Sequence, residues 1–394
     1  MPVLGMLNTN TLEATERGKA WRLGIMDEFP NAAPLCNLMY RVGKEKVADP
    51  EFSWYERRFP TREMTVATGP GSGTTGDTDN VVVGTNEAYN VRAGDIVVHV
   101  TSMERARVTT TPSVHNTFTI IRNIGGSGAV SDWAASSKVW CFTNAQVEGS
   151  SLGTALTVAP TRKYNYLQIF RNFADTTKTL AAVKLRSTGD RFKDAQLSAQ
   201  LMHEVDKEGA LLFGIASEDL TGTTPLRTTA GLASFVTTNS YDASSGLTLS
   251  GWNNFLKGCF SANGSSDEKI LVCGCDMLLA LENMARAYSY AWADVGEQDS
   301  YGMELKKWKT SFGTVFVHEH KLLSKLSALR SWGFLVDPDQ LVYRYLEGRD
   351  TDWSPNLQAP GDDKLVGHWL AESGFEIHNE YTMGIVKGAS TFAG

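Results

Sequence analysis

Between Ser187 and Gly214 the chain reads STGDRFKDAQLSAQLMHEVDKEGALLFG, and the spacing of its apolar residues predicts one unbroken helix. Ser187, with Asp190 three residues on, offers a capping-box variant, and Gly214 is placed to end the helix. Phe192, Ala195, Ala199, Met202, Val205, Gly209 and Phe213 recur at steps of three and four, widened by Leu201 and Leu212. Lys193, Asp194, Gln196, Gln200, Glu204, Lys207 and Glu208 fall on the other side, a face expected to be solvated. At ~1.5 Å per residue such a helix reaches roughly 40 Å, well beyond the usual three or four turns. It constrains the fold more than any other stretch, because the remaining elements must lie against it.

The first fifty residues, ahead of the helix, show no pattern of a core of their own. Residues 1 to 50 carry Trp21, Leu23, Ile25, Phe29, Leu35, Leu38 and Tyr40 without a sustained period, broken by Pro30 and Pro34. They are expected to form an arm that gains order by lying on another surface. From Glu51 the text becomes β-like, rich in Val, Thr, Ile and aromatics with Gly and Asn between runs. Strands around 52 to 68 and 164 to 177 are expected to pair as a long ribbon, with a small all-β unit from about 78 to 160 between them. A ribbon of two strands is marginal alone and needs a partner surface. Trp54, Tyr55, Arg57 and Arg58 at its start have the composition of an interface anchor. Ordinary strand packing and a nucleic-acid platform are the alternatives for that cluster.

After the long helix the pattern is mixed. Trp252, Phe255, Leu256, Cys259 and Phe260 mark a short helix, and Lys269 to Cys273 a strand. Asp276 can cap a helix through Met277, Leu281 and Met284. Strands follow at 313 to 320, 341 to 346, 364 to 370 and 374 to 381, with Ser373-Gly374 expected as the turn between the last two.

Composition narrows the function. The formal net charge of −7 and the lack of basic runs argue against a protein that works by wrapping nucleic acid. The five cysteines, Cys36, Cys141, Cys259, Cys273 and Cys275, have no framework spacing and fit free thiols in a reducing compartment. No signal peptide and no window of ~18 apolar residues is expected, so no membrane is implied. Gly71 to Thr78 has P-loop glycines, but Asp77 stands where the lysine must be, which favours a hairpin tip. Cys273, Cys275, His318 and His320 are too closely spaced within each pair for a usual zinc site. His203 lacks a second metal-ligand frame, and no G-x-S-x-G occurs. No catalytic, cofactor-binding or metal residue is assigned, and no cofactor.

The order of parts resembles the major capsid proteins of tailed bacteriophages. The carrying residues are Tyr164-Asn165-Tyr166-Leu167-Gln168-Ile169-Phe170-Arg171 leading into the helix, then Arg227-Thr228-Thr229-Ala230-Gly231-Leu232, and the closing HWLAESGFEIHNEYTMGIVKG. They are similar to the SU-ten-like capsid subfamily. The resemblance implies an α+β chain with the Hong Kong 97-type fold: long spine helix, E-loop, peripheral and axial domains, and a small all-β insertion. Residues 1–50 would be the N-terminal arm, 51–175 the E-loop with its insertion at about 78–160, and 176–219 the peripheral domain with spine helix 187–214. Residues 220–335 would be the axial domain, 336–371 a return to the peripheral sheet, and 372–394 the final axial strand.

The implied role is a structural shell without catalysis, built from hexamers and pentamers of the chain itself, enclosing double-stranded phage DNA without sequence-specific binding. Portal, scaffolding or decoration proteins are implied partners. Scaffolding is expected from another chain, because no helical pro-segment precedes the arm. Assembly would take place in the host bacterial cytoplasm and the product would be the virion capsid. Trp21, Phe29, Trp54, Tyr55, Arg57, Arg58, Lys193, Glu204, Lys207 and Glu208 are the expected intersubunit contacts. An encapsulin-like nanocompartment is the alternative of the same fold. From a different class comes a β-rich carbohydrate-binding protein or hydrolase using Trp133 or Trp140.

Overall fold

The computed structural model describes residues 33–58, 61–112, 115–149, 155–183, 190–288, 293–294 and 306–393. Trp21, Phe29 and Ser187 lie outside the described residues. The long helix is there as Arg191–Phe213, 23 residues and about 35 Å. Asp190 itself caps it, its Oδ1 accepting from the amides of Phe192 and Lys193 at 3.1 and 3.3 Å. Gly214 ends it, though not by a left-handed turn, since its φ is −58°. A Cβ there would lie 2.3 Å from the Thr229 carbonyl oxygen, so the glycine permits a close backbone approach. With Pro34–Val42 as α1 and Arg191–Phe213 as α2, the two helices pack together. Residues 34 to 47, within the stretch expected to behave as an arm, are therefore helix and strand of the subunit core.

Beneath α2 lies a sheet of five strands. Lys44–Val47, Leu341–Leu346, Lys364–Ile377 and Gln168–Thr177 follow in that order, with Asp352–Ser354 also paired to Lys364–Ile377. Two expectations are corrected here. Ser373-Gly374 is no turn but the interior of one 14-residue strand. Gly374 is required for space: a Cβ would meet the Tyr166 carbonyl oxygen at 2.7 Å and the Phe52 ring at 2.9 Å. The long ribbon is shorter than expected as well. Glu51–Glu56 pairs with Thr161–Tyr166, while Gln168–Thr177 crosses into the five-stranded sheet, where Phe170 and Ala174 are buried. Apolar alternation drew that strand to a buried face in preference to a two-stranded ribbon.

Residues 55–162 form a compact unit of their own. It is a closed barrel with the strand order Lys138–Asn144, Glu63–Thr68, Thr78–Val83, Thr117–Ile121, Arg105–Val108, Asp95–His99. The barrel thus begins at Glu63, earlier than the expected 78, because closure removes both edges and needs Glu63–Thr68 to do so. Val66, Val81, Val97, Phe118, Ile120 and Val139 fill it. At one side of this core the guanidinium of Arg122 pairs with Glu104 through Nε to Oε1 at 3.0 Å and Nη2 to Oε2 at 2.8 Å. The Trp133 indole donates to the same carboxylate at 2.7 Å. Trp133 is a core residue and offers no surface for a sugar. The glycine-rich stretch is a turn closed by Asp77, which accepts from the Thr74 amide at 2.7 Å. That amide and the Thr74 hydroxyl hold the Asp77 carboxyl below its usual range.

The second unit, which holds residues 33–54 and the described residues from 163 to 393, also carries a seven-stranded sheet. Its order is Ser240–Asp242, Gly384–Lys387, Gly333–Val336, Glu268–Cys273, Thr314–Glu319, Lys306–Lys309, Ala293–Asp294. Helices Leu249–Phe260 (α3) and Cys275–Ala287 (α4) bury Trp252, Leu256, Cys259, Met277, Leu281 and Met284 on it. Gly274, not Asp276, is the N-cap of α4; Asp276 sits in its first turn. A single apolar cluster runs from Leu35, Leu38 and Met39 of α1 through Leu211 and Leu212 of α2 to Val272, Phe334 and Ile385 of this sheet. No described helix is long and apolar enough to cross a membrane.

Candidate assembly surfaces

The face of α2 expected to be solvated is in part its buried face. Ala199, His203, Lys207 and Leu211, one i, i+4 row, are buried with Glu208 and Leu212. Met202 and Phe213, expected in the core, are exposed. The reason lies with partners far away in sequence. The Glu208 carboxylate accepts from the amides of Leu35 at 3.0 Å and Cys36 at 2.8 Å. These are free donors of the first turn of α1, whose own N-cap Ala33 has no side chain to satisfy them. The His320 Nε2 donates to Glu208 Oε1 at 2.8 Å, both groups fully buried. His320 Nδ1 accepts from the Leu322 amide, at the start of the short helix Lys321–Lys325 (α5), which fixes the proton on Nε2. One carboxylate therefore ties α1, α2 and the end of strand Thr314–Glu319 together.

Lys207 is buried one residue earlier. Its ammonium donates to the Tyr40 hydroxyl at 2.6 Å and to Thr351 Oγ1 at 3.0 Å, and lies over the Tyr40 ring. Burial lowers its pKa and raises that of the Tyr40 hydroxyl. His203, also buried, donates through Nδ1 to Asn172 Oδ1 at 2.9 Å, and burial takes its pKa down to about 4.

These positions correct the expected contact set. Lys207 and Glu208 are interior residues of the subunit, and so is Trp54, which stacks on Phe52 and packs against Phe235. Glu204 is half-buried. Tyr55, Arg57, Arg58 and Lys193 are exposed, and Trp21 and Phe29 lie outside the described residues. Sequence reasoning has Tyr40 only as an apolar residue of the arm and His320 only as a discounted zinc-ligand candidate, and it misses Thr351; no local signal marks the roles they have here. His320 and Cys273 do not converge on a metal: both ring nitrogens of His320 are engaged as above, and Cys273 Sγ contacts the His318 carbonyl oxygen.

Outward-facing apolar residues gather elsewhere. Ile169 and Phe173 stand on strand Gln168–Thr177, and Ile215, Leu220 and Leu226 on the hairpin that follows α2. Within the barrel unit Trp140 and Phe142 lie 5.8 Å apart on the outer face.

A family model described as SU10 major capsid protein matches residues 9–390. The chain belongs to that family. The major capsid protein of Pseudomonas phage PaMx41 is 23% identical over 275 residues, a match that spans 64% of this chain and 64% of that relative's length. Among solved structures, the capsid of a native GTA particle superposes with a TM-score of 0.50 at 9% identity, covering 98% of each chain. That of an empty GTA particle gives 0.50 at 9% identity, covering 98% of this chain and 100% of the other. At such identity the likeness is one of fold, the Hong Kong 97-type capsid fold.

Proposed function

We propose that this chain is the tile of an icosahedral phage shell, assembling with itself into hexamers and pentamers around double-stranded DNA. The match to a capsid family across residues 9–390 carries this reading. Elementary physics supports it. The ribbon Glu51–Glu56 with Thr161–Tyr166 turns Tyr55 and Tyr164 to water, and the hairpin after α2 does the same with leucines. Elements of two strands that expose large apolar side chains are stabilised by burying them on neighbours, and repeated contacts of one kind close into rings. The acidic net charge suits a container whose inner wall releases its DNA. Tyr55, Arg57, Arg58 and Lys193 are the contact candidates that remain exposed. Portal, scaffolding or decoration proteins would complete the particle in the host bacterial cytoplasm.

Negative-stain images of the full-length chain expressed alone test this. Closed shells or rings of five and six are expected. Particles from infected cells should hold DNA; a single co-purifying enzyme in place of DNA would make the chain a nanocompartment shell. Binding to glycans lost on changing Trp140, with no particles formed, would overturn the shell reading.

A further inference from the structure

The chain leaving α2 forms a hairpin with little to lie on. Ser217–Asp219 and Leu226–Thr228 pair only with each other. Leu220 and Leu226 at its tip are each 66% exposed, and Ile215 at its base 68%. A two-stranded hairpin that turns leucines to water gains stability from a second surface.

Such a surface lies beside the hairpin's own root. An open groove of about 540 Å³ runs between the C-terminal half of α2 and the start of strand Gln168–Thr177, with the hairpin base at one end. Ile169 and Phe213 stand on its rim, 52% and 37% exposed. Gly209 forms part of its wall, and a Cβ there would meet nothing within 4 Å, so a side chain from outside finds room. Gln168–Thr177 is also an edge of its sheet. The opposite edge, Lys44–Val47, is guarded by Lys44, Glu45 and Lys46, charges that discourage further pairing. The Gln168–Thr177 edge alternates exposed Ile169 and Phe173 with exposed Arg171 and Asp175. Arg171 is exposed on the groove and makes no ion pair among the described residues, while Asp206, which also lines the groove, is held by Asn172. On the hairpin Glu218 is paired with Arg227 at 2.8 Å, and Asp219 accepts from Thr221 and is exposed.

The base of the hairpin thus borders a groove with an apolar rim and an exposed arginine, and its tip carries exposed leucines and an exposed acid. Two copies facing each other across a two-fold axis would bring each tip to the other's groove at once, a self-complementary contact that closes on itself. We propose that this face joins two copies of the chain by reciprocal exchange of hairpins. Leu220 and Leu226 of each copy enter the other's groove beside Ile169 and over Gly209, and Asp219 meets Arg171. The inference rests on the shell reading, which supplies the second copy.

Leu220→Cys and Ile169→Cys combined in a Cys275→Ser background test it, since the other native thiols are buried. Full-length protein is assembled, mildly oxidised and separated without reductant. Disulfide-linked dimers comprising most of the protein are expected, with single variants giving less than a tenth as much. Shells that form but yield no cross-link would overturn the contact and leave the shell reading standing, and a ladder of multimers would overturn its two-fold form. Should shells not form, which counts against the shell reading, the cross-link is scored on soluble protein, where dimers support the contact and their absence overturns it. As a second measurement, Asp219→Arg and Arg171→Asp should each reduce dimer yield severalfold and restore it when combined; failure to restore would contradict the pairing.

Discussion

The amide of Cys36 donates to the Glu208 carboxylate at 2.8 Å, so a helix at the start of the subunit is capped by a residue 172 positions further on. The same carboxylate receives the Leu35 amide and the His320 Nε2, and all of it is buried. Removing it would strand three donors in a dry site. Glu208→Ala should cost about 3 kcal/mol or more, because each buried group left without a partner carries its full desolvation penalty. Hydrogen exchange should show α1 losing protection first, and chemical denaturation of the soluble subunit should report the loss. Unchanged protection of Leu38 and Met39 amides would contradict this.

Lys207 makes the opposite kind of case. Its ammonium is buried among hydroxyls, so a well-shaped apolar replacement is inexpensive while a carboxylate is not. Lys207→Met should stay within about 1 kcal/mol of the parent, and Lys207→Glu should lose on the order of 3 kcal/mol, as read from thermal melts. A charge reversal here therefore reports on folding and cannot serve as a probe of assembly. Soluble, fully folded Lys207→Glu would show that the residue is not held as described.

Acid should loosen the seat of α2. His203 has its pKa depressed from 6.5 to about 4 by burial, with Lys207 adding to the effect and Asp206 held across Asn172. The unfolded chain therefore binds the proton more readily than the folded one between those values, and stability falls as pH drops through that window. The full effect is on the order of 3 kcal/mol, present above about pH 6.5 and lost towards pH 4. His203→Gln should flatten the dependence of denaturation midpoint on pH in that range. An unaltered slope would assign the acid sensitivity to other groups.

Gly374 gives a test of the strand that was expected to be a turn. Gly374→Ala would press a methyl against the Tyr166 carbonyl and the Phe52 ring, and should cost about 2 kcal/mol by displacing the root of the ribbon. A turn glycine with open surroundings would tolerate the change. Differential scanning calorimetry distinguishes the two.

These cases show where the sequence was legible. The length of α2, the strand at Leu341–Leu346 and the α3 helix were readable, because each rests on periodicity within a dozen residues. The inner face of α2 was not. Lys207 and Glu208 read as solvent-facing in a pattern that sorts residues by polarity, and His203 is assigned to neither face; Tyr40, Thr351, Asn172, His320 and the amides of α1 make their burial affordable. None of those partners is near in sequence. The barrel's first strand was hidden for a related reason: Glu63–Thr68 alternates as a ribbon strand would, and closure is a property of six strands together. The hairpin after α2 gave no signal beyond turn residues, since its significance lies in exposure.

Sedimentation velocity of the full-length chain over a wide concentration range tests the central claim most directly. A shell tile should shift from subunit to ring-sized and then shell-sized species as concentration rises. One monomer-sized species throughout, folded and with its N-terminal residues intact, would contradict the account.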